Sequence, residues 1–205
     1  MMLKNLIFLM LILACNPGKK DKAENRENLS RDSENILIVY LSRTNNTKAV
    51  AEIIQQKVGG KLVALEKENR YPENYQEIVA QVDQENEQGF LPPLRTKIEN
   101  LEDYDMVFIG FPTWDMQLPP PMKTFLAEND LESKTLIPFN TNAGYGLGSS
   151  IRQIRELSPR SNILEEFSVK GGHEKESIFL AIKGDREEKV EELVEEWLQE
   201  IGVLK

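Results

Sequence analysis

The sequence predicts an α/β fold in which helices cover both faces of a parallel β-sheet. From Ile36 onward, short apolar runs alternate with longer amphipathic segments, a pattern typical of strands joined by helical connections. The first run, Ile36 to Leu41, is uninterrupted and rich in β-branched residues, as expected of a strand buried on both faces. Five such units joined by right-handed crossovers form a doubly wound sheet, whose ligands bind at the carboxyl ends of the strands.

The elements can be placed in order along the chain. Strands are predicted at residues 36–41, 61–66, 106–110 and 135–139. Thr47 is expected to cap the first helix, and Gly59 with Gly60 to end it. Apolar residues at helical spacing predict further helices around Tyr75 to Val82, Pro119 to Leu126, Ile151 to Leu157 and Val190 to Ile201. Two segments, 166–169 and 177–182, fit the fifth strand, and the sequence leaves open which of them forms it.

Length, charge and cysteine content narrow the class of function. The 205 residues suit one domain of common size, and two full domains are not expected. The formal net charge of −9 argues against a nucleic-acid-binding protein and favours small molecules or partner proteins with basic patches. Because Cys15 is the single cysteine, an internal disulfide, a CxxC dithiol and a cysteine-rich metal site are excluded. Any redox chemistry therefore requires a bound cofactor.

The N-terminus has the features of an export signal. Lys4 precedes the apolar run 6–13, which suits the core of a signal peptide and is shorter than the roughly 20 residues that a membrane-spanning helix needs. The sequence Ile12-Leu13-Ala14-Cys15 resembles a bacterial lipobox, in which the preceding peptide is removed and the cysteine is acylated. The alternative is an ordinary secretory peptide with an incidental cysteine.

These features predict three regions and a location. Residues 1–14 form a lipoprotein signal peptide, residues 15–35 a flexible polar tether with too little apolar surface to fold, and residues 36–205 the folded domain. Lipid on Cys15 would attach the protein to a membrane of the bacterial cell envelope. Asn16, rather than an acidic residue, follows the cysteine, and by resemblance to such lipoproteins this favours the periplasmic side of the outer membrane.

The loop after the first strand has the composition of a phosphate site. Its residues are Ser42, Arg43, Thr44, Asn45, Asn46 and Thr47. Free backbone N–H groups at the start of a helix bind phosphate, and side-chain hydroxyls can complete the hydrogen bonds. The GxxxxGK[ST] motif of nucleoside triphosphate sites is not present. An ordinary polar turn is the alternative interpretation.

Two further loops follow predicted strands and carry groups suited to a flat ring. The loop after the third strand contains Pro112, Thr113, Trp114 and Asp115, and the Trp114 indole offers stacking on a heteroaromatic ligand. The loop after the fourth strand contains Thr141, Asn142, Ala143, Gly144, Tyr145 and Gly146, and its glycines allow close approach of the backbone to a ligand. Alternatively, Trp114 fills a gap beneath its loop and the glycines only turn the chain.

The three loops together resemble the flavodoxin family. Its first loop has the form [ST]-x-[ST]-G-N-T, which Ser42, Thr44, Asn46 and Thr47 match, with Arg43 at the free position. Asn45 replaces the usual glycine, and asparagine is among the few residues that tolerate positive φ. The stretch 103–114 is also similar, although many relatives carry a second tryptophan where this chain has Asp115.

The resemblance implies a five-stranded sheet of order 2-1-3-4-5 with FMN at the carboxyl ends of its strands. The first loop would hold the phosphate, Trp114 would stack on the flavin, and backbone amides of residues 141–146 would meet the ring edge. Electron transfer to a redox partner protein or a small donor or acceptor is the expected function. An FMN-dependent reductase for NAD(P)H or quinones, and a flavin-free binding module, are the alternatives. No catalytic residue is nominated, and His173 is expected to be an exposed loop residue.

Overall fold

The computed structural model describes residues 35–204. The predicted signal peptide, the lipid site at Cys15 and all but the last residue of the tether lie outside these described residues. Within residues 35–204, no helix combines the length and the apolar character that are needed to cross a membrane.

The centre of the domain is a parallel sheet. Its strands are β1 (Ile36–Tyr40), β2 (Lys61–Ala64), β3 (Met106–Pro112), β4 (Thr135–Asn142), β5 (Asn162–Ile163) and β6 (Phe167–Lys170). The spatial order is β2-β1-β3-β4, and β5 and β6 both pair with the free edge of β4. All pairings are parallel, so the predicted doubly wound sheet with order 2-1-3-4-5 is confirmed.

The fifth strand of that order is split into β5 and β6. Leu136 pairs with Ile163 and Phe139 pairs with Phe167, so three residues on one strand face two on the other. The bulge lies opposite Pro138, whose ring nitrogen has no hydrogen to donate. The Leu136 carbonyl accepts a hydrogen bond from the Leu164 N–H on the fifth strand. Pro138 comes two residues after Leu136, so its nitrogen faces the same strand and cannot donate to it.

The split strand answers the question that the sequence left open. The candidate at 166–169 is the correct one, displaced by one residue to Phe167–Lys170. The candidate at 177–182 forms no strand, and Ile178 makes only an isolated bridge to His173.

Residues 35–204 form five helices. They are α1 (Asn46–Val58), α2 (Tyr75–Glu87), α3 (Pro120–Glu128), α4 (Ser150–Leu157) and α5 (Asp185–Glu200). Alternate residues of the strands enter two separate cores. One core lies beneath α1 and α5 and includes Ile38 and Trp197, and the other lies beneath α3 and α4 and includes Val39 and Phe125. Helices therefore cover both faces, as predicted.

The first helix begins two residues earlier than a cap at Thr47 predicts. Asn45 precedes it with φ 63° and makes no side-chain cap, while Thr47 is its second residue. The expectation that Thr47 caps the helix is therefore wrong. Its hydroxyl pairs instead with that of Thr141 on β4, at 2.8 Å in a buried position, so tertiary packing overrides the local preference of threonine for the cap. Gly59 ends the helix at φ 74°, as expected.

Candidate functional site

A cavity opens at the carboxyl ends of β1, β3 and β4. Its volume is about 130 Å³. The predicted site residues on its wall are Arg43, Thr44, Asn46, Thr47, Pro112, Thr113, Trp114, Thr141, Asn142 and Ala143. The predicted residues that do not line it are Ser42, Asn45, Asp115, Gly144, Tyr145 and Gly146. The three loops therefore meet at one place, which we call the cofactor cavity.

The first loop presents unpaired backbone donors at the start of α1. Among the described residues, none accepts a hydrogen bond from the backbone N–H groups of 43–47. The next N–H group, that of Lys48, donates to Ser42 Oγ at 3.3 Å. The left-handed conformation of Asn45 turns the chain at this point. Free amides beside the positive end of a helix dipole are a donor set for a phosphate dianion, so this loop fits the phosphate of FMN.

The Asn46 side chain is used within the protein. Its Nδ2 donates to the Phe179 carbonyl at 2.6 Å, and its Oδ1 accepts from the backbone N–H groups of Ala181 at 2.9 Å and Ile182 at 3.2 Å. These bonds hold the segment 171–182 against the first loop. The backbone N–H of Asn46 is thus left for a ligand, while its side chain is structural.

Arg43 joins three separate segments of the chain. Its Nε lies 2.9 Å from both carboxylate oxygens of Glu174, its Nη1 donates to the Pro72 carbonyl at 3.0 Å, and its Nη2 donates to the Glu73 carbonyl at 2.6 Å. Glu174 also balances the charge of the guanidinium. The geometry indicates that Arg43 builds the wall of the cavity, because each of its three nitrogens already has a protein acceptor.

The second loop makes a tight turn after β3. Trp114 and Gln117 exchange two backbone hydrogen bonds, at 3.3 and 3.0 Å, and the two residues between them, Asp115 and Met116, have φ of 48° and 52°. Positive φ at both central positions defines a type I′ turn, which usually contains Asn-Gly or Asp-Gly. The Asp115 carboxylate accepts from Gln117 at 2.7 Å and from Asn86 on α2 at 3.2 Å, so it lies toward α2.

A buried polar cluster supports Trp114 from beneath. The Tyr71 ring packs edge-on against the indole at 5.4 Å, and its hydroxyl donates to Glu85 at 2.5 Å. Lys67 forms a buried ion pair with the same carboxylate at 3.0 Å and lies 3.4 Å over the Tyr71 ring. Burial raises the pKa of the Tyr71 hydroxyl, and the hydrogen bond to Glu85 raises it further, so Tyr71 stays protonated at neutral pH.

The third loop is held by one side chain. Asn142 Oδ1 accepts from the backbone N–H groups of Gly144 at 2.8 Å and Gly146 at 3.2 Å. Thr113 of the second loop donates to the Gly146 carbonyl at 2.7 Å. Two of the amides that were expected to meet the ring edge are therefore bonded within the protein. Tyr145, at the tip of the loop, is 67% exposed.

One wall of the cavity has no counterpart among the residues that the sequence predicts. Gly171, Gly172, His173 and Glu174 line it, and so does Tyr75 of α2. His173 is not the exposed residue that was expected, because its side chain is only 18% exposed and its Nδ1 lies 3.0 Å from Glu176. Asn46 and Arg43 bring this wall into place across more than 130 positions of sequence, which no local pattern reveals. In the sequence, only the Gly171-Gly172 pair indicates a close approach of the chain at this wall. The structure gives the reason, because a Cβ on Gly171 would lie 3.1 Å from that of Asn46.

Solved structures share this architecture. A candidate flavoprotein from Bacteroides eggerthii is 28% identical, with a TM-score of 0.66 over 83% of this chain and 98% of the other. Another from Bacteroides uniformis is 22% identical, with a TM-score of 0.66 over 82% of this chain and 99% of the other. A flavoprotein from Lactobacillus acidophilus in complex with FMN is 21% identical, with a TM-score of 0.58 over 66% of this chain and 93% of the other.

The family comparison covers most of the folded domain. No curated protein is similar enough to count as a match. The model of the flavodoxin family, however, matches residues 35–180, which include all three loops of the cofactor cavity. The cofactor that the resemblance implied, FMN, agrees with the donor set of residues 43–47 and with the indole beside it. The match to the family model spans well over half of the chain, and the protein belongs to the flavodoxin family.

Proposed function

We propose that this protein is an electron carrier that binds FMN in the cofactor cavity. The observation that carries the proposal is the row of free N–H groups at residues 43–47, at the start of α1 and beside the Trp114 indole. A phosphate at these amides and a ring beside Trp114 is an arrangement that FMN can satisfy. The Lactobacillus flavoprotein, which shares the fold, contains FMN in its structure.

Each part of the cavity would have a separate task. Bound FMN supplies one- and two-electron chemistry, and the protein controls its position and its surroundings. The first loop would bind the phosphate, and the hydroxyls of Thr44 and Thr47 lie beside it. Trp114, fixed by Tyr71, would limit the access of water to the flavin. Asn142 would hold the third loop in the shape that faces the ring.

The surface charge suits a basic partner. The chain has a formal net charge of −9, and an acidic surface steers positively charged partners toward it. We propose a redox partner protein with a basic patch, working at the envelope membrane to which lipid on Cys15 would attach this protein.

An FMN-dependent oxidoreductase is the second candidate. A specific observation favours it, namely a further cavity of about 350 Å³. It shares Arg43, Tyr75, Thr113, Trp114 and Glu174 with the cofactor cavity. Such a space beside a flavin could admit a small electron donor or acceptor. The flavin-free module has less support, because the unpaired amides of 43–47 would then lack a ligand.

Two measurements on the purified full-length protein test these functions. A flavin absorbance spectrum and a Kd for FMN in titration are expected, and a colourless protein that does not bind FMN would leave only the flavin-free module. Steady-state oxidation of NADH and NADPH, with and without quinones, then separates the other two. A carrier turns over slowly with each of them, whereas an oxidoreductase turns over rapidly with at least one.

A further inference from the structure

A second cavity lies between helix α2 and the second loop. It has a volume of about 350 Å³, within the range of roughly 300–1,000 Å³ that is typical of small-molecule sites. We call it the α2 cavity. The wall that it shares with the cofactor cavity consists of Arg43, Tyr75, Thr113, Trp114 and Glu174. Residues 141–143 line the cofactor cavity alone. The α2 cavity alone is lined by Ile78, Val79, Val82, Asp83 and Asp115.

The helical wall of the α2 cavity is apolar and incompletely covered. Ile78 and Val82 are buried, yet both stand outside the two core clusters that the described residues form. Tyr75 and Val79 also line the cavity, and each is 39% exposed. The two residues lie one helical turn apart on α2. A contiguous apolar surface left open to solvent beside a cavity indicates a binding surface for apolar groups.

The rim of the α2 cavity is acidic. Asp83 and Asp115 line it, and neither carboxylate has an ion-pair partner within 4.0 Å among residues 35–204. Glu174 and Arg43 also line the cavity, and their ion pair at 2.8 Å neutralises both charges. Lys123 interacts electrostatically with Asp115, but its Nζ donates to Asn86 and Gln117, each at 2.8 Å. The rim therefore disfavours anionic ligands.

We propose that the α2 cavity binds a planar aromatic molecule of one or two rings that is uncharged or positively charged. The apolar face of α2 and the Trp114 indole would enclose the ring, and Asp83 and Asp115 would exclude anions and attract cations. Because Trp114 lines both cavities, the bound ring would lie directly beside the cofactor cavity. The role of such a molecule as a donor or acceptor of flavin electrons rests on the proposed function, whereas its binding does not.

The test uses three two-ring probes of similar size on the full-length protein. They are quinoline (neutral), 1-methylquinolinium (cationic) and naphthalene-2-sulfonate (anionic), and binding is followed by saturation-transfer NMR and by titration, with and without saturating FMN. We expect quinoline and 1-methylquinolinium to bind in both conditions and the sulfonate not to bind. Asp83→Asn should weaken the cation by up to about fivefold and leave quinoline unchanged.

A matched pair of variants locates the binding. Val79→Arg fills the α2 cavity and should abolish binding of quinoline. Leu193→Arg introduces the same side chain on α5, at a residue that is 47% exposed and does not line the cavity, and it should have no effect.

Three results would overturn the proposal. They are equal binding of the sulfonate, unchanged quinoline binding in Val79→Arg, and displacement of quinoline by FMN, which would make the α2 cavity part of the cofactor site. The FMN titration of the same samples reports on the proposed function separately. Protein that binds quinoline but not FMN would refute the function and keep the cavity proposal.

Discussion

At the scale of single residues, two glycines of the third loop differ in what surrounds them. A Cβ on Gly148 would lie 1.8 Å from the Met116 carbonyl oxygen, whereas a Cβ on Gly146 would meet nothing within 4 Å. Both glycines have positive φ, 58° and 80°. The second and third loops therefore approach each other at Gly148 as closely as a glycine permits.

Gly148→Ala should destabilise the protein much more than Gly146→Ala. The left-handed conformation costs alanine about 1 kcal/mol at either position, and steric overlap at Gly148 adds about 1–3 kcal/mol. Urea denaturation of the two variants and the parent measures the difference in free energy of unfolding. Equal losses would show that the contact with Met116 relaxes at no cost.

The first loop offers a test of phosphate binding. Thr44→Ala combined with Thr47→Ala should weaken FMN by at least about tenfold, since each hydrogen bond to a charged group contributes about 1.5–3 kcal/mol. Riboflavin has no phosphate and should bind almost as before. Isothermal titration of both ligands makes the comparison.

Thr47 also partners Thr141, so a control that keeps the hydroxyls is needed. The double variant Thr44→Ser with Thr47→Ser serves this purpose and should bind FMN like the parent. If the alanine variant loses FMN and riboflavin affinity equally, the phosphate lies elsewhere.

At the scale of elements, Arg43 fastens the segment 171–182 to the first loop. Its bonds to Glu174 and to the Pro72 carbonyl connect parts of the chain that are distant in sequence. Glu174→Gln should therefore increase amide hydrogen exchange across 171–182, because removing one partner of this half-buried pair costs about 1–3 kcal/mol. Arg95→Gln breaks an exposed pair, with both side chains 55% exposed, and should leave exchange in 171–182 unchanged.

The same variant distinguishes two roles for Arg43. If the arginine only positions the wall, Glu174→Gln weakens FMN and riboflavin by the same factor. A change for FMN alone would mean that Arg43 senses the phosphate.

The elements that could be predicted are those whose signals are local. The continuous run of β1, the apolar spacing of α5 and the three polar loops each specify their structure within a dozen residues. The split of the fifth strand could not be predicted, because it depends on Pro138 in the neighbouring strand. The wall at 171–174 likewise depends on Asn46 and Arg43, which lie far away in sequence.

At the scale of the whole molecule, the sequence predicts that lipid on Cys15 attaches the protein to a membrane. We predict that Cys15 is the mature N-terminus and carries lipid, because it directly follows a short apolar run and precedes a polar stretch. Cys15→Ser should release the protein from the membrane fraction or block removal of residues 1–14. Membrane fractionation and intact mass measure this, with the parent chain as the control, and an unchanged partition with an unchanged mass would refute the prediction.

The hydrogen bonds between the Asn46 side chain and residues 179–182 also determine when, during synthesis, the cofactor cavity can be completed. A ribosome releases the first loop long before it has made Ala181 and Ile182, whose backbone N–H groups donate to Asn46 Oδ1. A nascent chain therefore lacks one wall of the cofactor cavity until almost all of it has been synthesised. We expect FMN to be taken up after translation, by a finished and folded chain, so that apoprotein is an obligatory precursor wherever the protein is assembled.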